Sequence, residues 1–143
     1  MLAMLSAAAN NNNKEPPNLR GRTQEAAMGR LTTHVLDTAR GHPAADLKVE
    51  LWTHVRGLAH IKTMTTNKDG RTDAPILPDG EFGPGTYELR FFAGDYLKQV
   101  GVKLDEPAFL DIIPIRFGIA NAEQHYHVPL LLSPYGYSTY RGS

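Results

Sequence analysis

There is no cysteine among the 143 residues. That absence removes disulfide frameworks, thiolate zinc sites, iron–sulfur clusters and cysteine nucleophiles together. Net charge is missing as well, with 15 basic and 15 acidic side chains. A nucleic-acid binder would carry a basic excess, so no nucleic-acid partner is expected. No apolar run approaches the roughly 18 residues of a membrane span, so a soluble chain without a membrane partner is expected. What remains is a chain long enough for one domain that needs no covalent or metal staple.

The first 28 residues offer little to a fold. Ala7-Ala8-Ala9 runs into Asn10-Asn11-Asn12-Asn13 and then Pro16-Pro17, with no periodic apolar face to offset the entropy of ordering. Met1–Ala9 lacks the positive n-region of a signal peptide. Residues 1–28 therefore read as a disordered extension, and 29–143 as the folded domain.

From Leu31 onward the signals are those of strands. Leu31–Thr38 is rich in β-branched residues and ends at the turn cluster Arg40-Gly41-His42-Pro43. Leu47–Val55 alternates, placing Leu47, Val49, Leu51, Thr53 and Val55 on one face. Arg56-Gly57 turns the chain into His60–Thr66, and Asn67-Lys68-Asp69-Gly70 is a tight-turn signal. Leu77–Gly85 reads as a loop, and Thr86–Phe92 alternates again. Asp95–Val100 is a short helix with Asp95 available as its cap. Pro114 makes Asp111–Ile119 an edge or bulged strand. Gln124–Leu132 and Tyr135–Tyr140 complete seven to eight strands and one short helix, the pattern of an all-β two-sheet sandwich.

Several polar residues are unnecessary for such a sandwich. His34 interrupts an apolar strand, and His125 and His127 are two apart, so both rings project from one face. With His34 they could serve as zinc ligands, although no acidic residue nearby strengthens that reading. Without metal, neutral imidazoles can accept a proton from water. Arg71 follows the Asp-Gly turn, where a planar fork could meet an anion. His42, His54 and His60 read as surface residues beside turns. The terminal Tyr135-Gly136-Tyr137-Ser138-Thr139-Tyr140-Arg141-Gly142-Ser143 is unusually aromatic for a chain end, and calls for packing against its own sheet or another subunit.

Three segments, LTTHVLDTARGHPA (31–44), TNKDGR (66–71) and HYHVPLLLSPYGYSTYRGS (125–143), together resemble the 5-hydroxyisourate hydrolases, also called transthyretin-related proteins. The ending Tyr-Arg-Gly-Ser is that family's own, and the resemblance spans about residues 30–143. It implies a transthyretin-like (prealbumin-like) sandwich, a homotetramer built as a dimer of dimers, and active sites in the channel between dimers. It further implies cofactor-free hydrolysis of 5-hydroxyisourate, the product of urate oxidation, to 2-oxo-4-hydroxy-4-carboxy-5-ureidoimidazoline.

Carried over by motif, the functional positions are His34, Arg71, His127, Tyr140, Arg141 and Ser143. His127 with His34 would orient and deprotonate water, and Arg71 would bind substrate oxygens and stabilise growing negative charge. Ser143 is counted with His34, Arg71 and His127 among the catalytic positions, Tyr140 and the Ser143 terminus would hold the substrate ring, and Arg141 would bind substrate beside them. Two other readings stand beside this one: a hormone carrier using the same channel, and a zinc hydrolase with His34, His125 and His127 as ligands. A cytoplasmic location is the default expectation.

Overall fold

The computed structural model describes residues 29–77 and 82–142, so the expected extension over 1–28 lies outside the described residues. Two four-stranded sheets face each other. Strands β1 (Arg30–Asp37), β2 (His42–Pro43), β3 (Lys48–Thr53), β4 (Ala59–Thr65) and β5 (Gly85–Phe92) precede helix α1 (Ala93–Gln99). Strands β6 (Ile112–Ile119), β7 (His125–Ser133) and β8 (Gly136–Thr139) follow it. One sheet has the order β2-β1-β7-β8 and the other β4-β3-β5-β6.

Alternation decides which side chains enter the space between the sheets. Leu31 and Val35 of β1 and Tyr126, Val128, Leu130 and Leu132 of β7 point inward from the first sheet. Val49, Leu51, Leu89, Phe91, Ile113 and Ile115 meet them from the second. Each fully buried leucine or isoleucine contributes about 1.5–3 kcal/mol, which makes this layer the main source of stability.

Polar ties secure the periphery. The Tyr96 hydroxyl of α1 donates to the fully buried Asp37 carboxylate at 2.7 Å. Burial, the hydrogen bond and the negative charge of Asp37 all push the Tyr96 phenol far above its ordinary range. Arg40 closes the same knot through its backbone N–H, which donates to Asp37 at 3.1 Å.

Four local expectations are corrected. The alternation of β3 ends at Thr53, because the pairing with β4 slips between Leu51 and Trp52 and leaves Val55 outside the core. Helix α1 starts at Ala93, and its boundary residue Phe92 makes no side-chain cap, so Asp95 sits inside the first turn. His42 and Pro43, read as turn residues, pair with Asp37 and Leu36 as β2. His54 is not a plain surface residue: its Nε2 lies 3.1 Å from the buried Glu88 carboxylate. Burial alone would raise the Glu88 carboxyl, but hydrogen bonds from Arg90, His54 and Arg116 hold it below the usual carboxylate value. The edge position expected for the Pro114 strand is found, since β6 is the last strand of its sheet.

Candidate active site

The site begins with a parallel pairing of two strands. Strand β1 runs parallel to β7 with Arg30 opposite His125, Thr32 opposite His127 and His34 opposite Pro129. Inward positions are taken by Leu31, Thr33 and Val35, so Thr32 and His34 face outward. The same alternation turns His125 and His127 outward from β7. Two segments almost a hundred residues apart thus place three imidazoles on one patch of sheet.

Thr32 stands between two of them. Its Oγ1 lies 2.8 Å from His127 Nδ1 and 2.8 Å from His125 Nε2. The two rings are 6.2 Å apart between centroids.

Arg71 arrives on the turn after β4, and Asn67 builds that turn. The Asn67 side-chain oxygen accepts hydrogen bonds from the backbone N–H groups of Asp69 (2.9 Å) and Arg71 (3.2 Å). The Asn67 N–H donates to the Arg71 carbonyl at 2.7 Å. Gly70 has φ of 75°, a conformation that favours glycine. Its carbonyl accepts from the Val35 N–H at 2.8 Å, which anchors the turn to β1. A side chain there would run into the Val35 carbonyl and press on the His34 ring. Among the described residues, no carboxylate pairs with the Arg71 guanidinium.

Beside them lies an open cavity of about 390 Å³, whose lining includes Arg30, Thr32, Arg71, Asp73, His125 and His127 but not His34. Its electrostatics favour neutral imidazoles. Burial first, and then the Arg71 charge, lower the His34 value, with a backbone interaction at Asp69 partly opposing them. Burial, Arg71, His125 and His34 lower that of His127, in that order. Burial, Arg30 and Arg141 lower that of His125. Neutral imidazoles beside an unpaired guanidinium can take a proton from water and stabilise an oxyanion.

The three-histidine zinc arrangement is not formed. Among the described residues, no group of three or more His, Asp or Glu side chains is disposed to hold a metal. His125 Nε2 and His127 Nδ1 are both engaged at Thr32 instead.

The C-terminal residues divide between two places. Gly142 donates its N–H to the His127 carbonyl at 2.8 Å, at the rim of the cavity. Tyr140 and Arg141 line a neighbouring apolar groove between β6 and β8, together with Phe117 and Tyr126. The Arg141 guanidinium lies 4.1 Å over the Tyr126 ring and donates to the Gln124 side chain and the His125 carbonyl. Ser143 lies outside the described residues.

Residues 31–142 match the model of the HIUase/Transthyretin family. The chain belongs to that family. A relative from Rhizobium meliloti (strain 1021), 5-hydroxyisourate hydrolase 2, is 62% identical over 116 residues, covering 80% of this chain and 97% of its own. The solved structure of Klebsiella pneumoniae 5-hydroxyisourate hydrolase matches with a TM-score of 0.67 at 32% identity, covering 81% of this chain and 94% of that one. Sea bream transthyretin in complex with thyroxine matches with a TM-score of 0.71 at 24% identity, covering 79% and 94%. That last likeness concerns the fold alone.

Within this HIUase/Transthyretin chain the structure brings His34, Arg71 and His127 together around one patch. It adds Thr32, which sequence reasoning passed over, shows what Asn67 of the turn and Gly142 of the terminal motif contact, and gives His125 a place other than a metal ligand. Thr32 carried a usable signal: it is two residues before His34 and so shares its outward face.

Proposed function

We propose that this chain hydrolyses 5-hydroxyisourate to 2-oxo-4-hydroxy-4-carboxy-5-ureidoimidazoline in purine degradation, with His127 and His34 activating the water. The supporting observation is the His127 imidazole, favoured in its neutral form beside the Arg71 guanidinium in an open cavity of about 390 Å³, with His34 on the same outward face of the sheet and under the same Arg71 charge. The enzyme name carried by relatives at high identity over nearly their whole length points the same way.

A ring amide carbonyl is a poor electrophile towards neutral water. His127 and His34 hold the water, and His127 takes its proton as the oxygen attacks the carbonyl. Negative charge then grows on the carbonyl oxygen and is met by Arg71, a contact worth about 3–4 kcal/mol of barrier. Collapse of the tetrahedral intermediate breaks the ring C–N bond, and the proton goes to the departing nitrogen. The chain's own residues supply every step, without a metal or cofactor.

Tyr140, Arg141 and Ser143 are assigned to holding the substrate ring, within an assembly that brings the termini of neighbouring copies to the cavity. That assembly is a homotetramer, a dimer of dimers. Edge strands β6 and β8 flank one shared groove and are free to pair with another copy. Exposed aromatic side chains, Tyr140 at 59% in this groove and the packed pair Phe109 and Tyr135 at 72% and 66% outside it, are of the kind that subunit contact covers. A cytoplasmic location fits a substrate made by urate oxidation. A hormone carrier would line this cavity with apolar groups, whereas two imidazoles and two arginines line it.

Substrate generated freshly from urate by urate oxidase, followed by its ultraviolet absorbance decay, tests the reading. The expected result is faster decay that survives a chelator and is lost in His127→Ala. Decay no faster than the spontaneous reaction overturns it.

A further inference from the structure

The threonine between the two histidines has a consequence for how a single imidazole serves as base and then as acid. A hydroxyl carries one proton. Thr32 Oγ1 sits 2.8 Å from both His127 Nδ1 and His125 Nε2, so it can donate to only one of them. The other ring must donate its own N–H to the Thr32 oxygen. Burial and charge favour the neutral form of both rings: Arg71, His125 and His34 act on His127, and Arg30 and Arg141 act on His125. Each ring then carries one N–H, and there are two arrangements in which the Thr32 hydroxyl donates to a ring.

In the first arrangement His127 Nδ1–H donates to Thr32, and Thr32 donates to His125 Nε2. His127 Nε2, which makes no hydrogen bond among the described residues, then presents a lone pair. In the second, His125 Nε2–H donates to Thr32, and Thr32 donates to His127 Nδ1. His127 Nε2 then carries a proton. The hydrogen bond at one ring nitrogen sets the state of the other.

We propose that Thr32 and His125 are positioning residues for the hydrolysis, forming a hydrogen-bonded relay that sets which nitrogen of His127 carries the proton and reverses it during the reaction. The proposal rests on the reading of His127 as the group that meets the water.

The proton balance closes. Attacking water gives its proton to His127 Nε2, the Nδ1 proton moves to the Thr32 oxygen, and the original Thr32 proton moves to His125 Nε2. His127 is now neutral with Nε2–H, the form of an acid, and His125 is the imidazolium. When the ring C–N bond breaks, His127 Nε2–H passes to the departing nitrogen. The relay then runs back: Thr32 returns a proton to His127 Nδ1 and recovers one from His125. The net change is transfer of a water proton to the leaving nitrogen, with all three residues restored.

Thr32→Val keeps the shape and removes the hydroxyl, Thr32→Ser restores the hydroxyl, and His125→Phe removes the far end at an exposed position. The expected result is a kcat lower by about 10- to 100-fold in Thr32→Val and His125→Phe, with KM changed far less and Thr32→Ser close to the parent. The double variant Thr32→Val/His125→Phe should be no slower than either single one, because the two residues act as one unit. Nitrogen-15 NMR of labelled imidazoles should show His127 protonated at Nδ1 in the parent and redistributed towards Nε2–H in Thr32→Val. Parent-like kcat and pH profile in Thr32→Val or His125→Phe overturn the relay. His127→Ala is assayed alongside. Its inactivity beside active relay variants removes the relay alone, whereas full turnover in His127→Ala removes the reading on which the relay rests.

Discussion

Gly142 and His127 are joined twice. The Gly142 N–H donates to the His127 carbonyl, and the side chain that glycine lacks leaves room for the imidazole. A Cβ on Gly142 would lie 2.5 Å from His127 Cδ2. The missing side chain at Gly142 therefore lets the backbone lie against the His127 ring. Gly142→Ala is expected to displace that ring and to lower kcat at least tenfold, with little change in the urea midpoint. Parent-like turnover in this variant would show that the ring tolerates the methyl.

The pH dependence follows from the direction of the histidine shifts. His34 and His127 are lowered by burial and Arg71, so they stay neutral to a pH below the ordinary histidine value of about 6.5. Turnover is expected to hold as pH falls to 6.5 and to be lost below it, as the imidazoles protonate. Arg71→Gln removes the charge and should move this acid limb upwards, while Arg71→Lys keeps the charge and should leave it in place. Both variants lose the guanidinium fork and should lower kcat. An acid limb that does not respond to Arg71→Gln would separate that charge from the imidazoles.

The turn that carries Arg71 has its own test. Asn67→Ala removes the acceptor for two backbone N–H groups, at a cost of about 1–2 kcal/mol. Substrate binding is expected to weaken, with KM raised more than kcat is lowered, as steady-state kinetics would register.

Stability can be probed well away from the cavity. Tyr96→Phe leaves the buried Asp37 carboxylate without its 2.7 Å donor. A loss of about 1.5–3 kcal/mol is expected in urea denaturation at fixed protein concentration, with kcat preserved. A fall in kcat at unchanged stability would instead connect α1 to the site.

Much of the sandwich is written in simple alternation. Leu89 and Phe91, or Val128, Leu130 and Leu132, declare their inward faces to anyone counting by twos. The slip at Leu51/Trp52 is not so written, because alternation cannot reveal where a partner strand loses register. His34, Arg71 and His127 stand out in the chain because a plain core has no use for them. Thr32 is legible only as a residue on the outward face of His34, since threonine is ordinary in a strand and its contact with two imidazoles exists only once β7 lies beside it. Gly142 is legible as part of a motif, but its reason is steric and needs the neighbouring ring.

The parallel contact of β1 with β7 also governs when the site comes into being. Thr32 and His127 are 95 residues apart, so their meeting closes a very long loop, and contacts of that separation form slowly. An intermediate that had folded only β3, β4, β5 and β6 would own a whole sheet and Arg71, but none of the three imidazoles. Catalytic competence is thus a late property of the folding chain, and its recovery after dilution from denaturant times the joining of the two strands.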